Sequence, residues 1–246
     1  MRVIAIDSGS AYTKAVLRED GVTVSRRVHP TSGRPAETAE DLRRGMGSAD
    51  LVVSTGYGRR LIPAERVVNE ITALGVGAGT VRPSGTVIDI GGQDSKVLRL
   101  AARGRVEDFV MNDRCAAGTG RFLEVMSRAL ALPIEEMGTL SLEATAPVMI
   151  NSLCTVFAES EVISYLSQGQ SLADVVAGVY LSIARRIAGM VARTGLSQPV
   201  ILVGGAAVDR GVLAALGKVL ETDILVPPDP QFITALGAAL VAEQGS

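Results

Sequence analysis

Two aspartates, each followed by small polar residues, could hold a metal ion beside phosphate oxygens. The segment IDSGSAYTK at residues 6–14 aligns without a gap on IDIGGQDSK at residues 88–96. Gly, Ser and Thr after a carboxylate let the backbone approach an anion closely, so that amides and hydroxyls can cradle phosphate. Asp7 and Asp89 would then face one shared Mg²⁺ ion and hold it through water. The repeat predicts a nucleotide-binding chain built from two related halves.

Short apolar runs before and after each copy predict strand, tight turn and strand, twice. One copy alone is as consistent with an ordinary turn, but repetition favours the phosphate interpretation. The P-loop pattern GxxxxGK[ST] does not occur, so a P-loop is not the phosphate device. A third segment, VILVGGAAV at residues 200–208, leads an apolar strand into Gly204 and Gly205 before a helix-like stretch. Alone it predicts a strand-to-helix turn; after two hairpins it indicates an adenosine site.

Composition limits the classes of partner. A chain of 246 residues can bury the cores of two small α/β domains. Its 26 acidic and 24 basic residues do not indicate a nucleic-acid partner. The first apolar run stops at Asp7, which argues against a signal peptide. The apolar residues 172–192 include Asp174 and two arginines, so we expect a core helix rather than a membrane span, and a cytoplasmic protein.

The two cysteines lie in similar settings. Cys115 and Cys154 are each followed by residues with helical periodicity, which predicts both thiols at or just before helix N-termini, where the helix dipole favours a thiolate. Two buried cysteines or one disulfide are the alternatives, and the cytosolic setting disfavours the disulfide. A four-iron four-sulfur cluster normally needs four thiolates. A cluster here would therefore require a homodimer whose axis brings both pairs together.

The order of two phosphate hairpins and a glycine pair resembles the acetate kinase, sugar kinase, Hsp70 and actin superfamily. That resemblance implies an α/β fold made of a duplicated ribonuclease-H-like domain, with a nucleotide cleft between two subdomains. We expect the first subdomain at residues 1–82 plus 229–246. The second is expected at residues 83–228, with the cysteines and the adenosine motif.

Five motifs carry a closer resemblance: GYGR at 56–59, IDIGGQD at 88–94, MNDRCAAGTGRFLE at 111–124, CTVFAESEV at 154–162 and TALGAAL at 234–240. They are similar to those of the ATP-dependent activators of 2-hydroxyacyl-CoA dehydratases, a group that also contains the ATPase subunits of benzoyl-CoA reductase. The resemblance implies a homodimer sharing one four-iron four-sulfur cluster held by Cys115 and Cys154 of each copy. It also implies an electron taken from ferredoxin or flavodoxin and passed to a dehydratase or reductase component.

The matching motifs also imply residue roles. Lys14 would clamp charge that grows during phosphoryl transfer, and Gln93 or Asp94 would position the attacking water. Asp7, Lys14, Asp89 and Gln93 form the expected catalytic set, while Lys96 is interpreted as a surface lysine outside it. The residues expected to bind ATP or ADP are Ser10, Ala11, Tyr12, Thr13, Lys14, Gly91, Gly92, Gln93, Gly204, Gly205, Ala206, Ala207 and Gln231.

One departure from the family pattern concerns the segment after Glu70-Ile71-Thr72. The family usually has a cysteine and a histidine there, but this chain has Ala73 and Leu74. Its one histidine, His29, is expected in a solvated loop. This departure affects the prediction of the target enzyme more than the prediction of the activity.

Other functions are compatible with the same fold. A small-molecule kinase would need a substrate-binding acid or base, and none stands out. An actin-like assembly protein would give the cysteines no role. Within the electron-transfer interpretation, the acceptor could also be a benzoyl-CoA-type reductase or a double-cubane-cluster protein.

Overall fold

The computed structural model describes residues 1–112, 115–152 and 154–244. The chain divides into two compact units. Unit 1 comprises Met1–Val87, Leu98–Asp108 and Pro227–Ser246, and unit 2 comprises Ile88–Val97 and Phe109–Val226.

The first sheet has five strands in the order β3-β2-β1-β4-β5. Its strands are β1 (Arg2–Ser8), β2 (Tyr12–Glu19), β3 (Val22–Pro30), β4 (Leu51–Thr55) and β5 (Arg66–Val67). Strand β1 is antiparallel to β2 and parallel to β4, so Asp7 pairs with Lys14 on one side and with Thr55 on the other. His29 is exposed as expected, but the loop prediction is wrong, because it lies in edge strand β3 opposite Thr13.

The second sheet repeats this arrangement. Its order is β10-β9-β6-β7-β8, and its strands are β6 (Gly85–Ile90), β7 (Ser95–Leu100), β8 (Val106–Asn112), β9 (Val200–Val203) and β10 (Ile224–Leu225). Strands β6 to β10 therefore occupy the positions that β1 to β5 occupy in the first sheet. Both predicted hairpins are present, β1–β2 and β6–β7, and the order of strands carries the duplication beyond the nine-residue repeat.

Eight α-helices are present in the described part of the chain. They are α1 (Pro35–Arg44), α2 (Glu70–Gly79), α3 (Gly120–Ala129), α4 (Ile134–Ser141), α5 (Thr155–Ser167), α6 (Leu172–Thr194), α7 (Arg210–Leu220) and α8 (Ile233–Gln244). Small residues let α2 and α8 pack closely in unit 1, where a Cβ at Gly237 would overlap the carbonyl oxygen of Ala73.

Helix α6 is long and apolar enough to cross a membrane by length and composition, as the one such helix among the described residues. However, 61% of its most apolar window is buried inside the protein. Val176, Ile183 and Ile187 belong to the main core cluster of unit 2. The helix therefore forms the core of unit 2, as the sequence predicts.

A partly buried hydrogen bond joins α6 to the start of α7. The Tyr180 hydroxyl donates to Asp209 Oδ2 at 2.7 Å, while Asp209 Oδ1 accepts from the Gly211 amide at 2.8 Å as the N-cap of α7. Burial raises the pKa of Tyr180, and the Asp209 carboxylate raises it further. Asp209 therefore fixes the start of the helix that follows the glycine pair.

Replacing Asp209 by Ala should destabilise the protein, because the cap is lost and the buried Tyr180 hydroxyl has no acceptor. We expect the free energy of unfolding to fall by about 2 to 3 kcal/mol in urea titrations. Asp209→Asn is the matched control, since its amide oxygen still caps the helix, and it should lose clearly less. Equal losses in the two variants would contradict this account.

Candidate nucleotide-binding turns and cysteine pair

In unit 1, the first hairpin turn holds a buried carboxylate beside a lysine. Asp7 is 7% exposed at the end of β1, and Lys14 Nζ lies 3.4 Å from its Oδ2 atom. Thr13 Oγ1 lies 2.9 Å from Thr31 Oγ1, which in turn donates to the Gly9 carbonyl at 2.7 Å. Thr31, directly after β3, thus ties Thr13 to the turn at Gly9. Among the described residues, Lys14 makes one long ion pair, with Asp7.

A glycine from the neighbouring strand backs the Asp7 carboxylate. Gly56, directly after β4, has φ of +88°, and a Cβ there would overlap Asp7 Oδ1. The Gly58 amide donates to the Ser8 carbonyl at 2.9 Å, and Arg59 Nη1 donates to the Gly56 carbonyl at 2.9 Å. The GYGR motif therefore wraps the end of β1. Sequence reasoning used it only as a mark of resemblance and missed its contact with Asp7.

The surroundings of Asp7 suit a hydrated cation. Thr55 pairs in register with Asp7, so their side chains lie on the same face of the sheet. Its Oγ1 atom is buried and has no hydrogen-bond partner among the described residues. Such an atom costs about 1 to 3 kcal/mol unless a ligand or water satisfies it. Asp7 and Thr55 thus offer oxygen atoms to the water shell of an ion such as Mg²⁺.

The second hairpin repeats the device in unit 2. Asp89 is 8% exposed at the end of β6, and a Cβ at Gly204, whose φ is +91°, would overlap Asp89 Oδ1. Gly204 directly follows β9, the counterpart of β4. Gly204, one glycine of the predicted adenosine pair, is therefore in close contact with the Asp89 carboxylate at the end of β6.

Lys96 contradicts its interpretation as a surface lysine. It is 6% exposed, and its Nζ lies 2.8 Å from Asp94 Oδ2 and 3.5 Å from Asp89 Oδ2. The prediction is wrong because β7 is an inner strand whose residues 95–98 are all buried. Among the described residues, Lys96 is held by two carboxylates, whereas Lys14 contacts one.

The remaining predicted nucleotide residues are divided between the units. Tyr12 is 48% exposed, Gln93 is exposed, and Ala207 is buried. Gln231 lies in the short 3₁₀ turn Pro230–Phe232, which leads directly into α8 as the sequence suggests. The residues of intermediate exposure are Ser10, Ala11, Gly91, Gly92, Gly204 and Ala206.

The two cysteines differ in their relation to the helices that follow. Cys154 is exposed and is the N-cap residue of α5, as predicted. Cys115 is half-buried and precedes α3 by several residues, because α3 begins at Gly120 with Thr119 as its N-cap. The prediction that the Cys115 thiol lies at the N-terminus of α3 is therefore wrong. Both thiols are unbridged.

A polar side chain fixes the backbone beside each cysteine. Asn112 Nδ2 donates to the carbonyl oxygens of Cys115 and Ala117 at 3.2 and 3.0 Å. Glu161 on α5 accepts from the Asn151 and Ser152 amides, each at 3.0 Å, just ahead of Cys154. Burial tends to raise the pKa of Glu161, but the hydrogen bonds from these two residues outweigh it and lower the pKa overall.

The model of the BadF/BadG/BcrA/BcrD ATPase family matches residues 4–242. The chain belongs to this family. The activator of lactoyl-CoA dehydratase from Anaerotignum propionicum is 44% identical over 257 aligned positions, covering 100% of this chain and 99% of that protein. A subunit of benzoyl-CoA reductase from Thauera aromatica is 32% identical, covering 97% of this chain and 90% of that protein.

A solved structure shares the whole fold. The activator of the 2-hydroxyisocaproyl-CoA dehydratase from Clostridium difficile, with bound ADPNP, is 40% identical, has a TM-score of 0.92 and covers 100% of this chain and 95% of its own. A glucokinase from Streptomyces griseus is 15% identical with a TM-score of 0.61, covers 100% of both chains and shares the fold alone. These structures confirm the duplicated ribonuclease-H-like fold.

The contact between Gly204 and Asp89 predicts a large difference between adjacent glycines. Gly204→Ala should lower the free energy of unfolding by about 2 kcal/mol or more, because the new Cβ meets the Asp89 carboxylate at a positive φ. Gly205→Ala is the matched control, since a Cβ there meets nothing within 4 Å. Urea titration measures both, and equal stability of the two variants would refute the contact.

The lowered pKa of Glu161 predicts a dependence of stability on pH. A carboxyl group whose pKa is lower in the folded state stabilises the protein above its unfolded value, near 4.5, and loses that effect as pH falls through the folded value. The stability difference between the native protein and Glu161→Gln should therefore be largest at neutral pH and shrink as the solution is acidified below the unfolded value. Urea titration at several pH values measures it. Exposed Glu159→Gln is the control, and a Glu161→Gln difference that persists unchanged in acid would contradict the assignment.

Proposed function

We propose that this protein is an ATP-hydrolysing activator that passes a low-potential electron to a 2-hydroxyacyl-CoA dehydratase. The observation that carries the proposal is full-length similarity, at 44% and 41% identity, to proteins described as activators of such dehydratases. The two unbridged cysteines, one exposed and one half-buried, supply thiols suited to an iron–sulfur cluster. Electron transfer gives those thiols a role that ATP hydrolysis alone does not.

The proposed ATP-binding roles are given for the hairpin turn of each unit by itself. In unit 1, Ser10 to Tyr12 and Lys14 would bind phosphate oxygens, and Lys14 would counter charge on the transferred phosphoryl group. Thr13 is fully buried with its hydroxyl bonded to Thr31, so it would support the turn. Asp7 would hold Mg²⁺ through water. In unit 2, Gly91 to Gln93 would bind phosphate, and Asp89 would hold Mg²⁺ through water. Gly204 to Ala207 in unit 2 would contact adenosine. Gln231, which belongs to unit 1, is proposed as an adenosine contact because it directly precedes α8.

Gln93 is the better candidate for positioning the attacking water. Its side chain is exposed beside the turn, whereas the Asp94 carboxylate is engaged by Lys96 at 2.8 Å. A carboxylate already paired with a buried ammonium is a weak partner for a water molecule. We therefore assign water positioning to Gln93 and support of the turn to Asp94.

The cluster proposal requires a second copy of the chain. One chain has two cysteines, and a four-iron four-sulfur cluster takes four thiolates, so Cys115 and Cys154 of two copies would hold it about a two-fold axis. Val156 and Phe157, just after Cys154, are 66% and 68% exposed. They offer apolar surface that a second copy would cover. When bound, the cluster supplies one-electron redox chemistry.

Coupling electron transfer to ATP hydrolysis would supply the free energy needed to lower the potential of the electron. Lowering the potential of one electron by about 300 mV costs roughly 7 kcal/mol, and exposed ion pairs contribute at most about 1 kcal/mol each. Nucleotide hydrolysis can provide this free energy by changing the surroundings of the cysteines. Ferredoxin or flavodoxin in the cytoplasm would supply the electron.

A second candidate acceptor is a benzoyl-CoA-type reductase. The observation that favours it is the 32% identity to one of the chains of such an enzyme. The higher identity to dehydratase activators places this alternative second.

Iron and sulfide analysis tests the cluster. After anaerobic reconstitution we expect about four irons and four acid-labile sulfides per dimer, with an EPR signal after dithionite reduction. Cys115→Ala and Cys154→Ala should each lose this content, while Ser152→Ala, in the segment before Cys154, should keep it. Absence of iron in the reconstituted native protein would overturn the electron-transfer proposal.

A further inference from the structure

The second hairpin turn directly holds the first residues of α3. The carbonyl oxygen of Gly91 accepts from the Gly120 amide at 2.9 Å, and that of Gly92 accepts from the Arg121 amide at 2.8 Å. These amides belong to the first turn of α3, where the helix itself provides no acceptors. The carbonyl oxygens of the turn therefore satisfy two free amides at the start of α3 and join the turn to the helix directly.

Ser95 extends this connection to the cysteine segment. It is fully buried at the start of β7, and its hydroxyl donates to the Gly118 carbonyl at 2.5 Å. Gly118 has φ of +87° and lies between Cys115 and α3. Asn112 holds the other side of the segment through the carbonyls of Cys115 and Ala117. Cys115 is therefore held between Asn112 and the hairpin.

In the first hairpin, the hydroxyl at the matching position is bonded to Thr31, the residue directly after β3. Thr13, which aligns with Ser95, hydrogen-bonds Thr31, and Thr31 donates back to Gly9 in the same turn. The Thr13 hydroxyl thus bonds the segment after β3, whereas the Ser95 hydroxyl bonds the segment that carries Cys115. The duplicated position has acquired a different use in unit 2.

We propose that Ser95 is a positioning residue that transmits the state of the phosphate bound at residues 91–93 to Cys115 and the start of α3. The proposal rests on the proposed function in one respect, that this turn binds phosphate. Loss of the terminal phosphate moves the turn, its carbonyls move the first amides of α3, and Ser95 makes the Gly118 segment follow. Without the hydroxyl, the Gly118 carbonyl loses its partner and the segment can stay in place.

Hydrogen exchange on the full chain, purified anaerobically, tests the transmission. In the native protein, peptides covering residues 115–124 should exchange at rates that differ by about threefold or more between the ADP and AMP-PNP complexes. In Ser95→Ala this difference should fall to less than about 1.5-fold. AMP-PNP affinity, measured by calorimetry, should stay within about twofold, because Ser95 does not contact the nucleotide in this proposal.

Two variants control for non-specific effects. Ser95→Thr keeps the hydroxyl, as at Thr13, and should keep the nucleotide dependence. Ser127→Ala removes another hydroxyl-to-carbonyl bond, 2.6 Å long, at the far end of α3, and should also keep it. Full nucleotide dependence in Ser95→Ala would overturn the proposal.

The native protein alone separates this proposal from the proposed function. If AMP-PNP binds but exchange at residues 115–124 is the same in both complexes, transmission through Ser95 is wrong while ATP binding stands. If no nucleotide binds, the proposed function fails together with the inference.

Discussion

Close contact between a strand-end carboxylate and a neighbouring glycine is the constraint on which both halves of the molecule depend. Gly56 is in close contact with Asp7, and Gly204 is in close contact with Asp89. Both glycines have a positive φ. A side chain at either glycine would occupy the space of the carboxylate. The contact in turn requires the central strand to lie beside the strand that ends in glycine, which the two sheets achieve with the same order of strands. The order of strands in each sheet therefore determines where the buried carboxylate lies.

Much of this arrangement could be predicted from the sequence, because it is encoded locally. The two hairpins, the strand before Gly204 and the apolar core helix α6 follow from short patterns. The contact of Gly56 with Asp7 could not, since it depends on parallel pairing of strands separated by β2, β3 and α1. The sequence does not show that Lys96 is buried, because its burial comes from the strands that lie on both sides of β7. Cys115 lies farther from its helix than periodicity suggests, since the hairpin carbonyls cap α3 at Gly120. The domain boundaries and individual nucleotide contacts stay predictions.

The fold alone does not choose among ATP-dependent functions, since a glucokinase shares it at 15% identity. Family membership and the cysteines narrow the choice. A kinase would leave Cys154, exposed at the start of α5, without a role, and so would a filament-forming protein. The polar anchors at Asn112 and Glu161 argue further that both cysteine segments are built to hold defined positions. These features together favour electron transfer coupled to ATP hydrolysis.

Electron delivery by the reduced protein tests the central claim most directly. The dithionite-reduced, desalted protein would be mixed anaerobically with a purified 2-hydroxyacyl-CoA dehydratase component, and its visible absorbance followed by stopped flow. Our account predicts that reoxidation requires both the dehydratase and Mg·ATP, and that AMP-PNP does not replace ATP. Reoxidation at the same rate without nucleotide, or none with ATP and a competent dehydratase, would contradict it.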